Sequence, residues 1–148
     1  MSHPKRINPN VNKNFNLVRN ITSVDYSETT GYGVFRISDK GLHGTIQFFS
    51  YYDPIFPVQQ WLTINQYRQL SSTYTLFDEY HNEIILPAGF WIWTLKSFAE
   101  RYYRVHTALN TPVKLYKVKC RDVKYIITNT LNMDAYWCGE IYLLEEVR

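Results

Sequence analysis

From Pro87 to Val147 the chain carries one amphipathic helical stretch and then three aromatic-rich, β-branched runs, an order that calls for a sheet laid against a helix. Thr94 reads as an N-cap. Leu95, Phe98, Ala99, Tyr102 and His106 recur at helical spacing, and Lys96, Ser97, Glu100, Arg101 and Arg104 occupy the opposite face. Residues 90–93 form a short β run ahead of the helix. Residues 113–120, 123–128 and 136–144 read as strands, the last two joined by a turn over 129–134. The expected fold is α+β, a mainly antiparallel sheet packed against one principal helix over about 94–106.

Upstream, the spacing predicts a strand over 32–37, a turn over 38–41 and a second strand over 42–52. Asp53-Pro54-Ile55-Phe56-Pro57 interrupts regular structure, because each proline removes a backbone donor. Residues 58–70 are open to two readings. Pro57 suits the first position of a helix, while Trp61 to Ile64 also suits a strand. Residues 71–82 read as a long irregular loop.

Residues 1–30 differ in kind. Asn8, Asn10, Asn12, Asn14 and Asn16 alternate with Ile7, Pro9, Val11, Lys13 and Phe15, the period of an extended segment with one mostly apolar face. Such a segment has nothing local to bury that face against. The expected organisation is a polar arm over 1–30 and a single domain over 31–148. Ile7, Val11, Phe15 and Leu17 are the expected partner-binding residues, whether the partner is another protein or a second copy of the chain.

With 148 residues the chain is long enough to bury a core as one domain without disulfide or metal staples. Its 17% aromatic content, with 13 Tyr, exceeds what a core ordinarily needs, and tyrosine surplus belongs at interfaces. A codon bias toward Tyr, Asn, Ile and Lys produces the same load. No apolar run approaches the length of a membrane span, and the start of the chain lacks a secretory apolar stretch. The expected location is intracellular, in a host cytoplasm or a virion. Cys120 and Cys138 fit a reducing compartment as buried thiols.

Three constellations bear on chemistry. His43, between Leu42 and Gly44, stands at a strand start where an acid, base or ligand role is open to it. Glu140 and Tyr142 share one face of an otherwise apolar strand, where a carboxylate needs solvent or a partner. Together with His43 they are the candidates for a nucleotide-processing site. Lys114, Lys117, Lys119, Arg121 and Lys124 form a local basic run, with Lys117, Lys119 and Lys124 the nucleic-acid candidates, but alternation sets Lys117 and Lys119 on the face opposite Tyr116, so weak, charge-driven nucleic-acid binding is expected. No metal spacing, phosphate loop or hydrolase elbow is present, and no metal or cofactor is expected.

The succession Leu86-Pro87-Ala88-Gly89-Phe90, the helix from Thr94, Leu115-Tyr116-Lys117-Val118 and Gly139-Glu140-Ile141-Tyr142-Leu143-Leu144 resembles small uncharacterised proteins of phages and other viruses. The resemblance covers about residues 86–145. It implies a viral origin and a β-α-β-β unit, and brings no activity with it. The functional expectation is a non-enzymatic protein that works through protein contacts, as a virion or assembly component or as an inhibitor of a host factor.

Overall fold

The computed structural model describes residues 15–45, 54–67 and 73–148. Within them the chain forms β1 (Leu17–Ser38), β2 (Gly41–Gly44), β3 (Trp61–Thr63), α1 (Ile64–Tyr67), β4 (Thr73–Asp78), β5 (Glu83–Pro87), β6 (Phe90–Trp93), α2 (Lys96–Ala108), β7 (Val113–Asn129) and β8 (Asp134–Glu146).

Three long strands set the architecture. β1 runs antiparallel to β7 from Val18 opposite Asn129 to Arg36 opposite Val113, and β7 runs antiparallel to β8. β8 pairs with β6, and β6 returns to β1 through Tyr32 opposite Trp93. The ladder thus closes into a ring, so its four strands leave no open edge among themselves. β2 adds to the end of β1, β3 to β8, and the β4–β5 hairpin to the start of β1, where Leu17 faces Phe77 in parallel.

The α+β expectation is overturned. Strand makes up 62% of the structure and helix 13%, in a large mixed sheet that does not rest on one principal helix. The physical reason is in the cores. α2 covers one end, where Ala99 and Tyr102 meet Val34, Val113, Leu115 and Trp93. The largest cluster, with Phe35, Phe90, Val118, Cys120, Ile141 and Leu143, lies between strands and takes nothing from α2. The third, with Val18, Leu76, Leu86, Ile127 and Trp137, lies beneath the hairpin. The sheet buries itself on itself.

Residues 113–120 and 123–128 are one strand rather than two. Asp122 takes a left-handed φ of 55°, and the β7–β8 register slips just after it. That bulge absorbs an extra residue without ending the strand. It also flips the side chains: Tyr116, Val118 and Cys120 point into the ring before it, and Val123 and Ile127 take the inward positions after it. The same level of β1 is irregular between Ser23 and Tyr26.

Other expectations shift locally. Thr94 does not cap α2; its N–H donates to the Asp134 carbonyl, and Leu95 is the N-cap residue, with no side-chain bond. The buried face of α2, Ala99, Tyr102 and His106, follows the expected spacing. Residues 58–70 contain a piece of each reading, β3 and then α1. Residues 71–82 contain the strand β4. The turn over 129–134 is built on the buried Asn129, whose Oδ1 accepts from the N–H groups of Leu131 and Met133.

From Phe15 on, the segment expected in the arm is part of the body. The Phe15 ring packs edge-on against Tyr102 at 4.9 Å, and the Asn129 side chain donates to its carbonyl at 3.1 Å. Leu17 opens β1. Ile7 and Val11 lie outside the described residues. No helix of the described residues is long and apolar enough to cross a membrane.

Candidate binding surface

His43 and Glu140 stand far apart. His43 is buried on β2 opposite Arg36, with Nε2 2.6 Å from the Ser38 hydroxyl. Arg36 in turn faces Val113 at the start of β7, whereas Glu140 faces Arg121, eight residues further along that strand. Eight residues of β-strand span roughly 25 Å. A proton relay needs the two groups within hydrogen-bond reach or one water apart, and this arrangement does not bring them there.

Glu140 and Tyr142 instead belong to a row across the outer face of the ring. The Arg121 guanidinium lies 3.8 Å over the Trp61 ring, Trp61 lies 5.4 Å from Tyr142, and the Lys119 ammonium lies 5.5 Å over Tyr142. Register explains the row: Trp61 of β3, Tyr142 of β8 and Lys119 of β7 are neighbours on successive strands. The aromatic partners of the lysines therefore come from neighbouring strands, which alternation along one strand does not reveal. Lys117 shares this face opposite Tyr32. Lys124 lies beyond the bulge, with its ammonium 3.1 Å from Asp122 and 3.4 Å from Asp25, and the hydrogen bonds it donates to these two carboxylates hold it above the ordinary lysine range.

A groove of about 560 Å³ opens where the irregularities of β1 and β7 coincide. Its lining includes Pro87, Ala88, Trp137, Asp122, Lys124 and Tyr125. Its volume lies in the range of ligand clefts, whereas the cavity between β1 and β6 offers only about 50 Å³, room for a few waters. Asp122 leans across the backbone of Gly139, where a β-carbon would sit 2.6 Å from its Oδ2. A carboxylate held on a left-handed residue above a glycine is a shaped feature of the bulge.

The β4–β5 hairpin meets this groove at Pro87, the end of β5. Its inner face, Tyr74, Leu76, Ile84 and Leu86, packs on the ring, and Trp137 donates from Nε1 to the Pro87 carbonyl at 2.8 Å. Its outer face is apolar along a diagonal: Phe77 is 43% exposed, Ile85 63%, and Pro87 follows on the same side of β5. Thr75 faces Ile85 and Phe77 faces Glu83, so Phe77 and Ile85 are diagonal neighbours about 7–8 Å apart. Tyr80 projects from the tip, 77% exposed. Desolvation opposes ionisation of Asp78, yet bonds from the Asn82 backbone and side chain and the Tyr80 backbone outweigh it and hold that carboxyl below its ordinary value. Sequence reasoning missed this surface. The signal was the alternation of 73–78, Thr-Tyr-Thr-Leu-Phe-Asp.

Two buried groups are kept neutral. Burial, and next to it the Arg36 charge, pushes His106 down to about 4, and both its ring nitrogens are buried without a hydrogen-bond partner. Burial pushes the Cys138 thiol well up, with Cys120 beside it adding to the effect. In comparisons with known proteins, no family model, no curated protein and no solved structure matches this chain.

Proposed function

We propose that this protein works by binding another protein, through the outer face of the β4–β5 hairpin and the groove it borders. The observation that carries the reading is the exposed diagonal of Phe77 on β4 with Ile85 and Pro87 on β5, the last strand of the sheet, which reaches a groove of about 560 Å³ at Pro87. Contiguous exposed apolar residues beside a concave site are the usual mark of a protein-binding surface.

The row of Lys119, Tyr142, Trp61 and Arg121 supports a second reading, contact with single-stranded nucleic acid. Charge decides between them. Of the run Lys114, Lys117, Lys119, Arg121 and Lys124, three already face carboxylates: Lys114 faces Glu146, Arg121 faces Glu28, and Lys124 faces Asp25 and Asp122. A phosphate would compete with those pairs. Protein binding is therefore the first reading.

The test compares the full chain with the double variant Phe77→Ser, Ile85→Ser as bait in extract from the native source. Proteins retained by the full chain and lost by the variant support the reading. An identical retained set for both contradicts it.

A further inference from the structure

The hairpin geometry shows which backbone groups β5 leaves open. At its tip the Asp78 N–H donates to the Asn82 carbonyl at 3.0 Å, and the His81 N–H donates to the Asp78 carbonyl at 3.0 Å. His81 sits at a left-handed φ of 66°, which makes this a three-residue loop of the bulged type. Hydrogen-bonded pairs alternate from such a tip. Leu76–Ile84 and Tyr74–Leu86 are therefore the bonded pairs, and Ile84 and Leu86 turn their N–H and C=O toward β4. Glu83 and Ile85 turn theirs outward. Pro87, next on that side, has no N–H to leave unpaired, which is where an edge strand tolerates proline. Among the described residues, β5 pairs with β4 and no other strand.

Charge narrows the occupant. The hairpin carries Asp78, Glu79 and Glu83 and no lysine or arginine, and Arg19 of β1 pairs with Glu79, whereas Asp122 and Lys124 in the groove pair with each other. This acidic surface sits on a chain whose formal net charge is +3. Two copies meeting here would bring like charges together. A cationic partner meets opposite charge instead.

We propose that β5 accepts an added strand along the edge it leaves unpaired among the described residues, from an extended, basic segment of a partner protein, with a lysine or arginine of that segment reaching the exposed Glu83 on β5. The inference rests on the reading that the hairpin surface binds a protein, and adds the mode and the chemistry. Main-chain bonds to Glu83 and Ile85 supply affinity that is indifferent to side chains. The apolar diagonal receives alternate side chains of the guest, and the carboxylates of the hairpin select its charge.

The probes are three capped hexapeptides: alternating lysine and valine, the same peptide with every amide N-methylated, and alternating glutamate and valine. Each is titrated into the full ¹⁵N-labelled chain while the Glu83 and Ile85 amides are followed by NMR. The lysine–valine peptide is expected to shift both amides to saturation. N-methylation removes every main-chain donor and is expected to weaken binding roughly tenfold or more. The glutamate–valine peptide is expected to bind more weakly than lysine–valine, and Glu83→Gln to weaken the lysine–valine peptide several-fold while the Ile85 shift persists. Unmoved Glu83 and Ile85 amides, or equal binding by all three peptides, overturns the inference. If bait capture is lost with the Phe77→Ser, Ile85→Ser variant while the peptides leave β5 untouched, the protein-binding reading stands and strand addition falls. If capture is indifferent to the variant, the reading itself falls.

Discussion

A β-carbon on Gly31 would sit 2.6 Å from the Trp93 carbonyl oxygen and 2.8 Å from Cγ2 of Ile92. This close approach is where β6 meets β1 and the ring closes, next to the Tyr32–Trp93 pair. The obstacle is largely backbone, which cannot rotate aside. Gly31→Ala is therefore expected to cost about 1–3 kcal/mol, the usual range for overpacking. Gly139→Ala meets the mobile end of Asp122 instead and is expected to cost less than about 1 kcal/mol. Urea unfolding of both variants gives the comparison, and equal losses would place the closure elsewhere.

Phe15 and Ile85 make a second contrast. Phe15 is buried against Trp93 and Tyr102, and Phe15→Ala is expected to cost about 3–5 kcal/mol. Ile85 points to solvent, and Ile85→Ser is expected to change stability by no more than about 0.5 kcal/mol. Denaturant midpoints measure both. A large loss at Ile85 would show that the exposed diagonal is structural.

His106 gives a pH dependence with a definite sign. Its folded pKa, about 4, lies below the ordinary histidine value near 6.5, so the unfolded chain binds the proton more readily. The penalty is absent above about pH 6.5, grows as pH falls through that window, and is complete below about pH 4 at roughly 3 kcal/mol. His106→Leu is expected to remove this component. The readout is the difference between wild-type and variant unfolding free energies from pH 7.5 to 4. A constant difference across that range would contradict the assignment.

How much of this was legible beforehand depends on the range of the interaction. The buried face of α2 at Ala99, Tyr102 and His106 and the turn built on Asn129 follow from local spacing and turn chemistry. The ring does not, because its closure is a pairing between β1 and β6, some sixty residues apart in sequence. Arg121-Asp122 looks like a break in a strand, but a left-handed Asp122 turns it into a bulge. That bulge shifts the inward set from even to odd positions, so a strict period-two reading splits β7 in two. Residues 71–82 looked irregular because serine and threonine dominate their start, although 73–78 alternate cleanly. His43 and Glu140 looked like a pair only while the roughly 25 Å of strand between their neighbours was unknown.

The outer row gives a quantitative expectation for nucleic acid. With Lys114, Arg121 and Lys124 paired to carboxylates, Lys117 and Lys119 remain to meet phosphate, so binding of an oligonucleotide is expected on the order of 10⁻⁴ to 10⁻⁶ M and indifferent to sequence. Lys119→Ala is expected to weaken it and to lower the salt slope by about 1. Fluorescence anisotropy at several salt concentrations reads both. Submicromolar, sequence-dependent affinity at physiological salt would move this face ahead of the hairpin.

The proposal turns on the edge of β5 that is unpaired among the described residues as the place where a partner protein attaches. Backbone amide hydrogen exchange tests it most directly, residue by residue, on the free chain and on the chain bound to a captured partner. In the free chain the account predicts fast exchange at Glu83 and Ile85 and slow exchange at Ile84 and Leu86, because the first two amides face solvent and the last two are bonded to β4. In the complex it predicts that Glu83 and Ile85 become slow as well. Slow exchange at Ile85 in the free chain, or unchanged fast exchange there in the complex, would contradict it.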